Sequence, residues 1–274
     1  MTAQAQIKSS FPVRRMDFSF SDVPRYWFNN DPFMTHFLTS LSSLFPEGEL
    51  FFIDSVRAVR TQIEDPVMQK EISAFIGQEA MHTKEHKAFN DYAQAQGIDI
   101  EYLDKRVGKL LGFGKKYLPV KQQLAITCAL EHFTATVAAQ LMRRDDWNER
   151  MNDPVMRKMW LWHAIEESEH KAVAFDVYQK VGGDYATRAI FMVIASTILA
   201  IVASEQQVRL MAEDKQLFNL KAWGKGLWSL FGKKGFMSEL TLQYLDYFRP
   251  GFHPNDHDSD ALEKKWKQYL ALNG

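Results

Sequence analysis

Asp65-Pro66-Val67-Met68-Gln69-Lys70 recurs as Asp153-Pro154-Val155-Met156-Arg157-Lys158, and each copy runs in one register into a Glu and a His three apart, Glu79-x-x-His82 and Glu167-x-x-His170. Asp followed by Pro suits a helix start. Proline lacks the N–H that a first turn leaves unpaired, and an acidic side chain favours the positive end of the helix dipole. Side chains three apart on a helix point the same way and can reach one metal ion together. The repeat therefore predicts two helices, each carrying a metal-binding pair, and so two metal ions.

Working outward, the chain between and around the copies supplies two more acids on apolar faces. Asp31-Pro32 opens a helix through Phe45, and Pro46 opens the next, from Glu47 to about Ile63, where Glu49, Phe52, Val56, Val59 and Ile63 share one face. The first copy spans about Pro66 to Gln96 and is stopped by Gly97, with Ile72, Phe75, Glu79, His82 and His86 facing inward. Glu101 to Leu118 reads as a short helix and a loop. Pro119 opens a helix to about Arg144 whose stripe is Leu124, Thr127, Glu131, Ala135, Ala138 and Met142. The second copy, Pro154 to about Val181, carries Trp160, His163, Glu167, His170, Ala174 and Val177 on one side. His132 lies a quarter turn from Glu131 and reads as a core residue or a support.

The order Glu49, Glu79-x-x-His82, Glu131, Glu167-x-x-His170 is the ligand set expected of a dinuclear carboxylate site inside a four-helix bundle. Four carboxylates balance two divalent ions, so the cluster becomes nearly neutral once metal is bound. Imidazole with carboxylate suits iron first, leaving manganese and zinc open. His163, four before Glu167, and His86, four after His82, extend the candidates to eight, with at least one of them orienting a ligand or relaying protons. Glu85, Glu166 and Glu169 fall off the inward face and are expected in solvent or paired with Lys84, Lys87 and Lys171.

Composition fits this picture. The 274 residues are 46% hydrophobic with 14 Gly and 9 Pro, and no linker divides the middle, so one domain is expected: a lead-in over 1–32, the metal-binding bundle over 33–183 and a helical extension over 184–274. A net charge of −1 gives no basic field for nucleic acid. Cys128, the one cysteine, allows no internal disulfide and reads as a small apolar core residue. Residues 1–11 are polar without the apolar core of a signal peptide, so the expectation is cytoplasmic.

The arrangement resembles the ferritin-like di-iron carboxylate superfamily. The wider text resembles the bacterial family labelled predicted metal-dependent hydrolases. Arg14-Arg15-Met16-Asp17-Phe18, Phe45-Pro46-Glu47-Gly48-Glu49, the run from Glu79 to His86, Trp162-His163 through Glu167, Glu169-His170-Lys171 through Tyr178, and Arg249-Pro250 with Phe252-His253-Pro254 carry that likeness over most of the chain. His163-x-x-x-Glu167-x-x-His170 resembles the arylamine N-oxygenases of the superfamily, where a third histidine joins the metal shell. The superfamily resemblance implies oxidation of a small or apolar substrate with O2 at a di-iron centre, electrons coming from a partner, and this is the leading expectation, with hydrolysis as its alternative. The family label implies hydrolysis by a metal-activated water. Metal binding without catalysis is the third reading. No G-x-S-x-G elbow, phosphate-binding glycine loop or H-E-x-x-H is present.

The region after the bundle raises two further expectations. Ala189 to Ala203 is uncharged but falls short of the ~20 residues that cross a bilayer, so a buried core helix is favoured over one touching lipid. Trp223, Trp228 and Phe231 alternate with Lys221, Lys225, Lys233 and Lys234, a pattern that suits the inner membrane face and equally a homodimer interface. The Arg249 to His257 segment reads as a structured loop closing over the bundle, with a second metal site as the rival reading.

Overall fold

The computed structural model describes residues 11–272; the polar segment 1–10 lies outside the described residues. The fold is all-α, with no strand among the described residues. The helices are α1 Pro32–Val59, α2 Pro66–Ala95, α3 Ile100–Tyr117, α4 Val120–Arg143, α5 Asp145–Arg150, α6 Pro154–His170, α7 Val173–Lys180, α8 Tyr185–Glu213, α9 Leu220–Phe231, α10 Thr241–Asp246 and α11 Asp260–Tyr269. α1, α2, α4 and α6 pack as a four-helix bundle, α1 on α2 and α4, α6 on α4 and α2. Both repeat copies start as their sequence dictates: Asp65 caps α2 and Asp153 caps α6 through their carboxylates, each followed by Pro at the first helical position.

The bundle interior is layered. Leu38, Phe89, Ala138 and Trp160 belong to an apolar cluster at one end, and Phe52, Phe75, Leu124 and Ala174 to another at the other end. The inward Glu and His positions fall between the two, so every bundle helix reads apolar, polar, apolar along its inner face. Apolar burial at both ends, at roughly 25 cal/mol per Å2, holds together a middle layer that repels itself.

Four expectations are corrected. Pro46 does not divide two helices. It sits inside α1, which runs unbroken from Pro32 to Val59, because the one hydrogen bond it removes is replaced from α2. Ile100–Tyr117 is one continuous helix rather than a short helix and a loop, with Ile100, Leu103 and Val107 buried along one face. The second copy breaks after His170 into α6 and α7, and at the break Lys171 Nζ donates to the His257 carbonyl and Ser259 Oγ. α8 is not a buried core helix. Met192, Ala195, Val202 and Leu210 are buried, but Ile190, Val193, Ile194, Ile198 and Ile201 face outward.

The lead-in is irregular from Phe11 to Asp31, yet it inserts Phe20, Val23, Trp27 and Phe28 into the core. Its close approach to α2 depends on Gly77, where a Cβ would lie 2.5 Å from Val13 Cγ2. His253 and His257 hold the C-terminal loop by pairing with Asp176 and Asp246, at 2.8 and 2.9 Å. Among the described residues neither belongs to a group that could hold a metal ion.

Candidate metal centre

α1 contributes Glu49, α2 Glu79 and His82, α4 Glu131, and α6 His163, Glu167 and His170, all at most 4% exposed. Two groups bring their donor atoms within 4.8 Å of one another: Glu49, His82 and His163, and Glu79, Glu167 and His170. Glu131 adjoins the second, its Oε2 standing 3.5 Å from His170 Nε2. Glu167 also links the groups, with Oε1 3.0 Å from His163 Nε2 and 3.6 Å from His82 Nδ1.

Apart from His163 Nε2 and Glu167 Oε1, which pair with each other, the donor atoms turned toward this centre lack hydrogen bonds. Glu49 Oε1, both oxygens of Glu79, both of Glu131, Glu167 Oε2, His82 Nδ1 and His170 Nε2 are buried without a well-formed hydrogen bond, the closest ion-pair contact among them being that of His170 Nε2 with Glu79 Oε1 at 3.1 Å. A buried carboxylate oxygen with no donor costs several kcal/mol, and here they crowd one spot. Divalent ions fit this donor set: carboxylate oxygens plus imidazole nitrogens, with lone pairs converging and charge to be neutralised.

Electrostatics agree. Burial, then the repulsion of neighbouring carboxylates, pushes Glu49 and Glu131 well above the usual carboxylate range. Burial raises Glu79 as well, against the pull of His170. Burial alone would raise Glu167, but His163, 3.0 Å away, and the neighbouring His170 hold it well below normal. Burial disfavours a charged His170, yet Glu131, Glu167 and Glu79 raise it well above the ordinary imidazole value. Burial and the neighbouring His163 push His82 well down. Without metal the layer thus holds protons and one internal ion pair where cations would go.

The outward ring nitrogens are fixed from behind. His82 Nε2 pairs with Glu166 Oε2 at 3.1 Å. His170 Nδ1 donates to Gln78 Oε1 at 2.9 Å, and Gln78 in turn donates to Glu169 and the Pro12 carbonyl. Arg14 clamps both acids, with NH1 3.0 Å from Glu166 Oε1 and two bonds of 2.8 Å to Glu169. Such supports set which nitrogen faces the metal.

Glu85 pairs with Lys84 as expected, but Glu85, Glu166 and Glu169 are all buried rather than solvated. Every residue of α6 from Met159 to His170 is buried, because the lead-in covers the face that a bare bundle would leave open. Glu85 accepts from the Asp17 and Phe18 amides and from Lys84. Glu169 pairs with Arg14 and Lys267. Burial pushes Glu166 up to about 8 even beside Arg14.

The family described as predicted metal-dependent hydrolase matches residues 12–258, most of the chain, from the lead-in segment that carries Arg14 to the loop beyond His253. The chain belongs to that family. No curated protein and no solved structure matches it. The family description names metal dependence, and the two buried groups are the candidate place for it in the fold.

His86 stands one step back. Its Nδ1 meets Ser42 Oγ at 2.8 Å and its Nε2 meets His163 Nδ1 at 2.6 Å, so neither nitrogen is left for an ion. His132 bonds the Gln243 carbonyl through Nε2, and burial pushes it down to about 4. Arg14, Gln78, Ser42 and Asn90 were not legible as site residues, since polar residues outside a repeat carry no spacing signal.

Proposed function

We propose that this protein is a dinuclear-metal hydrolase of the ferritin-like type. The observation that carries the metal site is the convergence of eight buried donor atoms from four helices, none of them satisfied by a well-formed hydrogen bond. Membership of the predicted metal-dependent hydrolase family supports hydrolysis as its chemistry. Two bound divalent ions would supply Lewis acidity and a nucleophilic water at neutral pH. Glu49, His82 and His163 would hold one ion, and Glu79, Glu167, His170 and Glu131 the other. Glu166 and Gln78 keep His82 Nδ1 and His170 Nε2 aimed inward. Glu49, Glu79 and Glu131 would give up their protons to make room for the bound cations.

A second reading, oxidation of a small or apolar substrate with O2 by an iron-loaded centre and an electron-donor partner, is favoured by enclosure. The donor residues are at most 4% exposed, a setting that suits entry of dioxygen better than that of a bulky ester.

Metal-free protein loaded anaerobically with Zn2+, Mn2+ or Fe2+ separates the readings. Turnover of aryl or phosphate esters that requires metal and is lost in Glu131→Gln supports hydrolysis. Iron-dependent oxygen uptake without ester turnover supports oxidation. Stoichiometric metal with neither activity leaves a metal-binding protein without catalysis.

A further inference from the structure

Pro46 lies inside α1 without an N–H, so the carbonyl four residues earlier, that of Ser42, has no helical donor. Asn90 Nδ2 from α2 fills the gap at 3.1 Å. A carbonyl can only accept, which fixes the amide: Oδ1 must be the atom turned to Ser42 Oγ, 2.9 Å away. An amide oxygen also only accepts, so the Ser42 hydroxyl donates to it. Ser42 Oγ is left as the acceptor for His86, 2.8 Å from Nδ1.

The proton pattern propagates. With its proton on Nδ1, a neutral His86 presents a lone pair at Nε2, 2.6 Å from His163 Nδ1. His163 must then donate from Nδ1, which leaves Nε2 with a lone pair facing the centre beside Glu167 Oε1 at 3.0 Å. A lone pair set against a carboxylate is repulsive unless a cation or proton sits between them. The ring has little freedom to escape, being stacked on His82 at 4.1 Å and 13° and packed against Phe45.

We propose that Asn90 and Ser42 are positioning residues that, through His86, lock His163 in the tautomer whose Nε2 binds the metal ion shared with Glu49 and His82. The proposal rests on the dinuclear reading above. Pro46 starts the relay by creating the need for Asn90, and the relay ends at the donor set.

Two readouts other than activity test it. Nitrogen-15 NMR of histidine-labelled, metal-free protein should show His86 protonated at Nδ1 and bare at Nε2 in the wild type; the opposite tautomer overturns the relay whether or not metal binds. Zinc titration should give two ions in the wild type, one of them weakened about 10- to 100-fold in Ser42→Ala and Asn90→Leu, with affinity kept in Ser42→Thr, which retains the hydroxyl. Unchanged affinity for both ions in folded Ser42→Ala or Asn90→Leu overturns the proposal. A wild type that binds no zinc, manganese or iron sinks the dinuclear reading instead, and the His86 tautomer then decides the relay alone. Should Ser42→Ala not fold, Asn90→Leu and Ser42→Thr carry the comparison.

Discussion

The Asn90 side chain donates to the Ser42 carbonyl at 3.1 Å, the acceptor that Pro46 strips of its helical partner. A cross-helix amide thus replaces a main-chain bond, and α1 stays straight enough to carry Glu49 to the centre. An unsatisfied buried carbonyl costs ~1–3 kcal/mol, so Asn90→Leu should destabilise by about that much in denaturant titration. In a Pro46→Ala background the helix N–H returns and the same change should cost about 1 kcal/mol less. Equal costs in both backgrounds would show that the two residues are independent.

Glu131 makes the metal-free protein less stable and the metal-bound one more so. Its carboxyl is raised by burial and by Glu79. A raised acid weakens the fold above its folded pKa and is harmless below the unfolded value of ~4.3. Glu131→Gln should therefore raise the melting temperature of metal-free protein at pH 8, with a smaller gain at pH 5. At about a thousand times its Kd, one zinc ion adds ~4 kcal/mol to wild-type stability, and the variant should forfeit most of that gain for one ion. Calorimetry with and without zinc reads both signs, and a variant that is less stable in both states contradicts the account.

Arg14 hydrogen-bonds two acids at once, and both acids lie behind histidines of the candidate metal centre. Arg14→Met strands Glu166 and Glu169 without their guanidinium, a loss of ~3–5 kcal/mol for a broken buried pair. Chemical denaturation measures it. A loss under about 1 kcal/mol would mean that Lys267, already 2.6 Å from Glu169, compensates.

The repeat alone placed Glu79, His82, Glu167 and His170, because a helix converts spacing directly into facing. Glu49 and Glu131 followed from apolar stripes. What escaped was whatever depends on contact between distant segments. Arg14 reaches Glu169 only because an irregular lead-in crosses α6, and no periodicity encodes an irregular crossing. Pro46 misled for a related reason: the rule that proline ends helices holds for local bonding, and a residue forty-four positions on, Asn90, repairs the loss. The exposure of Ile194 and Ile201 escaped too, since composition gives the apolarity of α8 but not which faces its neighbours cover.

His253 offers a pH test away from the metal layer. Its hydrogen bond to Asp176 raises it above the ordinary imidazole value, against the effect of partial burial. A raised imidazole contributes stability that is complete below the unfolded pKa of ~6.5 and disappears as pH rises through the folded value. The melting-temperature gap between wild type and Asp176→Asn should be widest at pH 5.5 to 6 and shrink by pH 9. A gap that does not change with pH would assign the contact to packing or neutral hydrogen bonding.

We propose last that α9 lies on an anionic membrane surface. Leu220, Trp228 and Phe231 are 78, 71 and 60% exposed, and Phe218 just before the helix is 87% exposed. Lys221, Lys225, Lys233 and Lys234 are exposed beside them. Large aromatic side chains interleaved with lysines suit the headgroup boundary, where rings sink toward the acyl chains and ammonium groups meet phosphate. The buried side of the helix is committed to the bundle, where Gly226 lets Phe33 approach so closely that a Cβ would sit 1.9 Å from its ring. The exposed side is thus held in place without being used to hold the fold. Full-length protein should co-sediment with vesicles containing phosphatidylserine, less so as salt rises, and more weakly with neutral phosphatidylcholine, with little dependence on salt. Trp228→Ser with Phe231→Ser should abolish sedimentation and leave the melting temperature within about 2 °C, since surface changes cost under ~0.5 kcal/mol. Equal sedimentation of wild type and the double variant rejects the lipid contact. A wild-type dimer in velocity sedimentation that the same variant converts to monomer assigns the face to a second copy of the chain instead.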